Sequence, residues 1–310
     1  MPGSAAKYSA PFGIKQRFSG LTDSGCRSAA SLLFINSSAK LKNILRWTGA
    51  GLGLVFMLAS CDDLFQYNPN EETLLERERN LTAKNIEKIS QLPVSDTTRF
   101  ILMGDSQRWY DECEEFVQSA NQQKGISFVL HAGDISDFGL TQEFRWVNEI
   151  MTRLKYPYVT VIGNHDIVAN GSATYRKMFG PLNYSFGYGR DRFIFINTNS
   201  REYAFDGSVP DISWLKAQLA DNPGHLNTIV VGHVPPFDAD FDKNLEKPYT
   251  EALSGDPTVK FTLYGHQHRF YEGEFYDDGV NYHLTTSMGA RGYMVISTWK
   301  GGYNVERVEF

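Results

Sequence analysis

Short apolar runs alternate along this chain with longer stretches in which apolar residues recur every three or four positions. Residues 74–92 place Leu74, Leu75, Leu81, Ile86 and Ile89 among charges, which predicts an amphipathic surface helix broken at Pro93. Strands are predicted over 99–103, 127–132 and 158–162, separated by helices over 110–123 and 141–154. Asp137 and Thr141 stand upstream of the second helix as candidate caps. Apolar strands bounded by helices read as parallel strands buried on both faces. Further on, 183–197 predicts a hairpin turned at Gly189–Asp191, and 211–224 a helix that starts near Asp211. Residues 227–232 and 259–265 are two more strands, and 275–310 reads as strands joined by Asp-Gly and Gly-Gly turns. The pattern suits an α/β domain with two packed sheets flanked by helices.

Composition narrows the class. Of the 310 residues 42% are hydrophobic and 14% aromatic, enough for a packed core. The net charge of −6 is unevenly spread, because residues 1–60 hold seven Lys/Arg and one acid. The remainder is strongly acidic, which argues against binding a nucleic-acid polymer or anionic lipid through bulk charge. Small anions remain possible ligands where a metal supplies local positive charge. Cys26, Cys61 and Cys113 match neither a CxxC metal pattern nor a disulfide scaffold.

Cys61 has another explanation. Lys40, Lys42 and Arg46 precede an apolar run of about a dozen residues, short of the ~20 needed to cross a bilayer. A basic flank, a short apolar core and small residues describe a secretory signal. Leu58-Ala59-Ser60-Cys61 also resembles the lipobox of bacterial lipoproteins, in which the cysteine becomes the lipidated first residue. The expected layout is a signal peptide at 40–60, a tether and amphipathic helix at 61–95, and a catalytic domain at 96–310. Residues 1–39 fit neither a signal nor a domain. They are expected to be disordered or a gene-model extension, with translation starting near Leu41. The protein is therefore expected at the bacterial cell envelope, lipid-anchored on the extracytoplasmic side.

Five loops follow predicted strands: 104–107 (GDSQ), 133–137 (GDISD), 163–166 (GNHD), 232–233 (GH) and 265–268 (GHQH). Any one of them is common turn chemistry. Together they would project carboxylates, an amide oxygen and imidazoles at one sheet edge, a donor set suited to divalent transition ions. His266 and His268 are two apart on one loop and can serve neighbouring ions, and Asp134 is a natural carboxylate bridge.

This ordered series resembles the calcineurin-like metallophosphoesterases, whose motifs run DxH, GDxxD, GNHD/E, GH and GHxH. The resemblance covers about residues 98–270. It implies a double β-sandwich flanked by helices, a four-layer αββα fold with metals at the strand ends. It also implies two divalent ions (Mn, Fe, Zn or similar). Asp105, Gln107, Asp134 and His268 would surround one, and Asp134, Asn164, His233 and His266 the other. His165 falls on the family's non-ligand histidine, which protonates the leaving oxygen, and Asp166 on the acidic residue that orients it. The implied activity is hydrolysis of phosphate mono- or diesters by a bridging metal hydroxide, on a small-molecule or headgroup ester.

Gln107 departs from the pattern, since an amide oxygen is a weaker ligand than imidazole for first-row ions. It can coordinate, hold a metal-bound water, or leave the first position partly empty. Asp137 stands where the purple-acid-phosphatase branch has Tyr, and it reads here as a helix cap. His131 is expected to be a packed core histidine, His225 a loop residue and His283 part of a strand face. Cys113 is expected to be half-buried. Arg108, Trp109, Phe237 and Arg291 are candidates for the substrate entrance, with 167–182, 201–210 and 234–256 as specificity loops. The competing function is a metal-binding surface lipoprotein, weakened in catalysis, that serves as a scaffold.

Overall fold

The computed structural model describes residues 73–310, so segments 1–39 and 40–60 and the lipobox residue Cys61 lie outside the described residues. The first half alternates as predicted: α1 (Leu81–Ser90), β1 (Thr97–Met103), α2 (Tyr110–Ala120), β2 (Phe128–His131), α3 (Thr141–Met151) and β3 (Tyr158–Thr160). β1, β2 and β3 pair in parallel. After α4 (Gly171–Met178) comes the hairpin β4 (Tyr184–Tyr188) and β5 (Asp191–Phe195). A second set follows: α5 (Ile212–Ala220), β6 (Asn227–Val231), α6 (Lys243–Ser254), β7 (Val259–Tyr264), β8 (Tyr271–Gly273) and β9 (Asn281–Leu284). The chain then returns to the first sheet through β10 (Gly292–Trp299), antiparallel to β1, and β11 (Gly302–Glu309). The two sheet orders are β11-β10-β1-β2-β3 and β4-β5-β6-β7-β9-β8.

Period-two side-chain alternation stacks these sheets into layers. In β1, Phe100 and Leu102 join a central core shared with Phe193 and Phe195 of β5 and Ile229 and Val231 of β6. Ile101 and Met103 point the other way, onto Phe116 of α2 and Phe144 of α3. On the far side, Ile194 and Val230 pack against Leu215 of α5 and Tyr249 and Leu253 of α6. Inner strands such as β2, β5 and β6 are thus covered on both faces, giving the αββα layering predicted.

Three local expectations need correction. The helix expected over 74–92 begins only at Leu81, after a 3-10 turn at Glu76–Glu78 and a left-handed Asn80 (φ 53°). Its Asn85 amide donates to the Tyr158 carbonyl (2.8 Å), and Ile89 enters the central core. The cap of α3 is neither Asp137 nor Thr141: the Glu143 carboxylate accepts from Phe138 N (2.9 Å) and Leu140 N (3.2 Å). Finally, the segments 167–182 and 234–256 hold helices α4 and α6. Gly171 opens the first and Pro248 lies inside the second, both signals against helix. Tertiary burial of Tyr175 and Tyr249 overrides them.

Candidate metal centre

The five motif loops leave the carboxyl ends of strands in both sheets and meet there, so the single sheet edge expected is in fact the mouth between two sheets. Backbone bonds stitch the first two together. Asp105 N donates to the Gly133 carbonyl (3.0 Å), and the amides of Ser106 and Gln107 donate to that of Asp134 (2.9 and 3.1 Å). Two glycines permit the close approach: a Cβ on Gly163 would lie 2.1 Å from Asp134 N and Oδ1, and one on Gly133 2.7 Å from His233 Nδ1. Asp105, Asp134, His266 and His268 all have left-handed backbones, with φ between 51° and 68°. Asp and His tolerate that region better than most residues, yet each such position costs of order 1–3 kcal/mol and recurs where function demands it.

The side chains converge. Asp134 Oδ1 accepts from His165 N (2.9 Å), while Oδ2 faces Gln107 Nε2 (3.1 Å) and His233 Nε2 (3.3 Å). Asn164 Oδ1 lies 3.0 Å from His233 Nε2 and 3.1 Å from His266 Nδ1. His268 Nε2 is 3.3 Å from Asp105 Oδ1, which also accepts from His266 N (3.1 Å). All seven residues proposed as ligands therefore lie in one contact network.

A cation fits this network on three grounds. Asp105, Asp134 and His233 offer ligand atoms within 4.8 Å of one another, all buried. Asp105 Oδ2 and Gln107 Oε1 are buried acceptors without a hydrogen-bond partner. Such orphans cost about 1–3 kcal/mol each unless something satisfies them. Electrostatics agree. Burial works against the charge of Asp134, but His233 outweighs it and holds the carboxyl at about 2. Burial likewise opposes charge on His233, yet Asp134 lifts it to about 10. His233 Nδ1–H donates to the Ala132 carbonyl (2.7 Å), so Nε2 is the atom turned to the oxygens. The bonded carboxylate of Asp105 raises His268 in the same way.

His165 stands at the rim. Its Nδ1 is 3.0 Å from the Asp137 carbonyl, which can only accept, so Nδ1 carries the hydrogen and Nε2 is left for a ligand. The Asp137 carboxylate, not that of Asp166, is the acid beside this ring, 3.4 Å from Nδ1 and paired also with Arg108. The orienting role implied for Asp166 is therefore corrected. Asp166 Oδ1 accepts from Ile135 N (2.9 Å), Ser136 N (2.8 Å) and Ser136 Oγ (3.0 Å), and Oδ2 from Gly163 N (2.9 Å). Burial and then Asp134 push its carboxyl up to about 7, against these four donors. Asp166 is a strut between two motif loops.

The sequence model of the calcineurin-like phosphoesterase family matches residues 98–270. The chain belongs to the calcineurin-like phosphoesterase family. It is 31% identical over 122 residues to the glycerophosphodiester phosphodiesterase GpdQ of Enterobacter lignolyticus, covering 35% of this chain and 42% of that protein. It is 24% identical over 158 residues to a 3',5'-cyclic-nucleotide phosphodiesterase of Nostoc, covering 46% of this chain and 56% of that protein. The matches thus span about half the length of these two curated relatives. In fold it is similar to a dimetal phosphatase from Danio rerio, with a TM-score of 0.56, 11% identity, and coverage of 68% of this chain and 96% of that one.

Beyond the family motifs, Asp238 and Asp240 were missed by sequence reasoning. Each places a carboxylate oxygen 3.5 Å from His266 Nε2, on the side away from Asn164, and the three form a further group with metal-ligand spacing. Arg201 grips Asp240 at 2.9 and 3.0 Å. Their Asp-x-Asp spacing was the available signal. His131 is the core histidine expected: it accepts from Gly133 N (3.2 Å), its Nε2 meets Ser106 Oγ (2.8 Å), and burial lowers it to about 3. Cys113 is fully buried rather than half-buried. Of the entrance candidates, Arg108 stays exposed beside His165, whereas Arg291 is paired with Glu112 and Glu115 of α2. Phe237 stacks on Phe275 with centroids 4.2 Å apart.

Proposed function

We propose that this chain hydrolyses a small-molecule phosphate mono- or diester at a dinuclear metal centre. We further propose that it acts outside the cytoplasm, on the envelope membrane to which Cys61 ties it. The observation that carries the catalytic reading is the convergence of Asp105, Gln107, Asp134, Asn164, His233, His266 and His268, with Asp105, Gln107, Asp134 and His233 buried, around acceptors that protein groups leave unsatisfied. The Asp134 carboxylate would be shared between two ions, one held also by Asp105, Gln107 and His268 and the other by Asn164, His233 and His266. Bound divalent ions supply positive charge for the phosphoryl oxygens and a water made acidic enough to serve as nucleophile near neutral pH.

The chain's own residues do the rest. As the bond from phosphorus to the leaving oxygen breaks, His165 gives that oxygen its Nε2 proton. The Asp137 carbonyl fixes Nδ1–H, which keeps Nε2 aimed outward, and the Asp137 carboxylate lies 3.4 Å from the same nitrogen. Arg108 is placed to meet the non-reacting part of an anionic substrate. Both curated relatives are named for diesters, which makes diesters the first substrates to try.

Turnover of bis-(p-nitrophenyl) phosphate and p-nitrophenyl phosphate with added Mn²⁺ tests the reading, with Asp134→Asn as the control. Activity that depends on metal and is lost in the control is expected. No rate above the control with any divalent ion would instead favour a scaffold lipoprotein.

A further inference from the structure

The Gln107 amide does two things at once. Its Nε2 donates to Asp134 Oδ2 (3.1 Å), while its Oε1 is buried without a partner. Asp134 Oδ1 is already engaged by the backbone of His165 (2.9 Å). Oδ2 is the oxygen that faces the other ligand side chains, and two N–H groups compete for it, from Gln107 and from His233 (3.3 Å). These competitors differ chemically. An imidazole nitrogen coordinates once its proton is displaced, and His233 Nδ1–H is anchored on Ala132, so Nε2 is free to do so. An amide nitrogen bears two hydrogens and no available lone pair, so it never becomes a ligand. Gln107 contributes to an ion only through Oε1, a neutral donor, and its N–H stays on Asp134 unless the amide turns over. A histidine there would present a lone pair without that conflict.

On the other side of Asp134 no such conflict exists. Asn164 directs its acceptor oxygen, not its nitrogen, at His233 and His266 (3.0 and 3.1 Å), and two imidazoles supply strong neutral ligands. We propose that Gln107 makes the two cation positions unequal: the Asn164–His233–His266 position binds tightly, whereas the Asp105–Gln107–His268 position binds weakly and exchanges. This rests on the dinuclear reading of the site, but its test does not use turnover.

The full-length protein, purified in detergent and loaded with Mn²⁺, is dialysed against metal-free buffer, and its manganese is counted by mass spectrometry. Wild type should keep one ion per chain and take up a second only in excess, at least about tenfold more weakly. Gln107→His and the near-isosteric Gln107→Glu both remove the amide N–H donor and offer a ligating atom in its place, and should retain two; circular dichroism selects variants that fold. Two equally retained ions in wild type would overturn the proposal, as would one or none in both folded variants. Absence of esterase activity with unequal binding intact would count against the enzymatic reading and leave this inference standing.

Discussion

The Asp137 carbonyl oxygen lies 3.0 Å from His165 Nδ1, and this contact decides which ring nitrogen can reach a substrate. If His165 protonates the leaving oxygen, its removal should hurt poor leaving groups most. His165→Ala is expected to keep its metal content and to lose about 10²–10⁴-fold in kcat on an alkyl phosphodiester. The loss on a p-nitrophenyl ester should be much smaller, because that oxygen departs without a proton. Equal losses on both substrates would show that the histidine binds phosphate instead.

Asp166 should behave differently. Its carboxylate takes three buried backbone N–H groups, from Ile135, Ser136 and Gly163. Left without an acceptor, each costs about 1–3 kcal/mol. Asp166→Ala is therefore expected to lower the unfolding free energy by several kcal/mol and to shed metal as the Asp134 and Asn164 loops part. Denaturant titration beside metal analysis checks this. Wild-type stability with a defect confined to kcat would restore the orienting role that the family resemblance suggests.

The ligand loops were legible because parallel strands end in turns, and Gly-Asp, Gly-Asn and Gly-His after apolar runs reveal where those turns carry function. What stayed hidden depends on packing between distant segments. Nothing near Asp137 in sequence says that Arg108 and His165 take it while Glu143 caps α3. Asp238 and Asp240 reach His266 only because burial of Phe241 and Tyr249 folds α6 and its approach against the second sheet, despite Pro248. Polar alternation gave no reason to expect a helix there.

Those two aspartates should tune the ion that His266 holds. Each lies 3.5 Å from Nε2, opposite the nitrogen that meets Asn164. Partners of this kind orient a ligating imidazole and keep it electron-rich, and losing one typically costs 10–100-fold in metal affinity. Asp238→Asn is expected to weaken binding of the tighter ion by roughly tenfold, read by competition with a fluorescent chelator. Unchanged affinity would reduce Asp238 to a loop-forming residue that receives Gln267 (2.6 Å).

The lipobox reading makes a separate claim. A thioether diacylglycerol and an amide-linked chain anchor firmly, at about 0.8 kcal/mol per buried CH₂. In cells fed tritiated palmitate, the protein should be labelled and sediment with membranes, and Cys61→Ala should abolish both. Label retained in that variant would place lipidation elsewhere.

Acid should destabilise the fold through histidines that lie outside the ligand set. Burial lowers His131 to about 3 and His283 to about 4, against 6.5 for the free side chain. Above pH 6.5 both are neutral in folded and unfolded chains and contribute nothing to the pH dependence. As pH falls below that, the unfolded chain takes up protons that the folded one refuses, so stability drops until the folded values near 4 and 3 are reached. At pH 5 each histidine should have cost about 2 kcal/mol relative to pH 7. His283 is the cleaner test: it sits between the rings of Phe261 and Tyr303, and its Nδ1 is buried without a partner. In His283→Leu the stability difference between pH 7 and pH 5, from urea unfolding, should shrink by about 2 kcal/mol. An unaltered difference would mean that His283 is protonated in the folded chain.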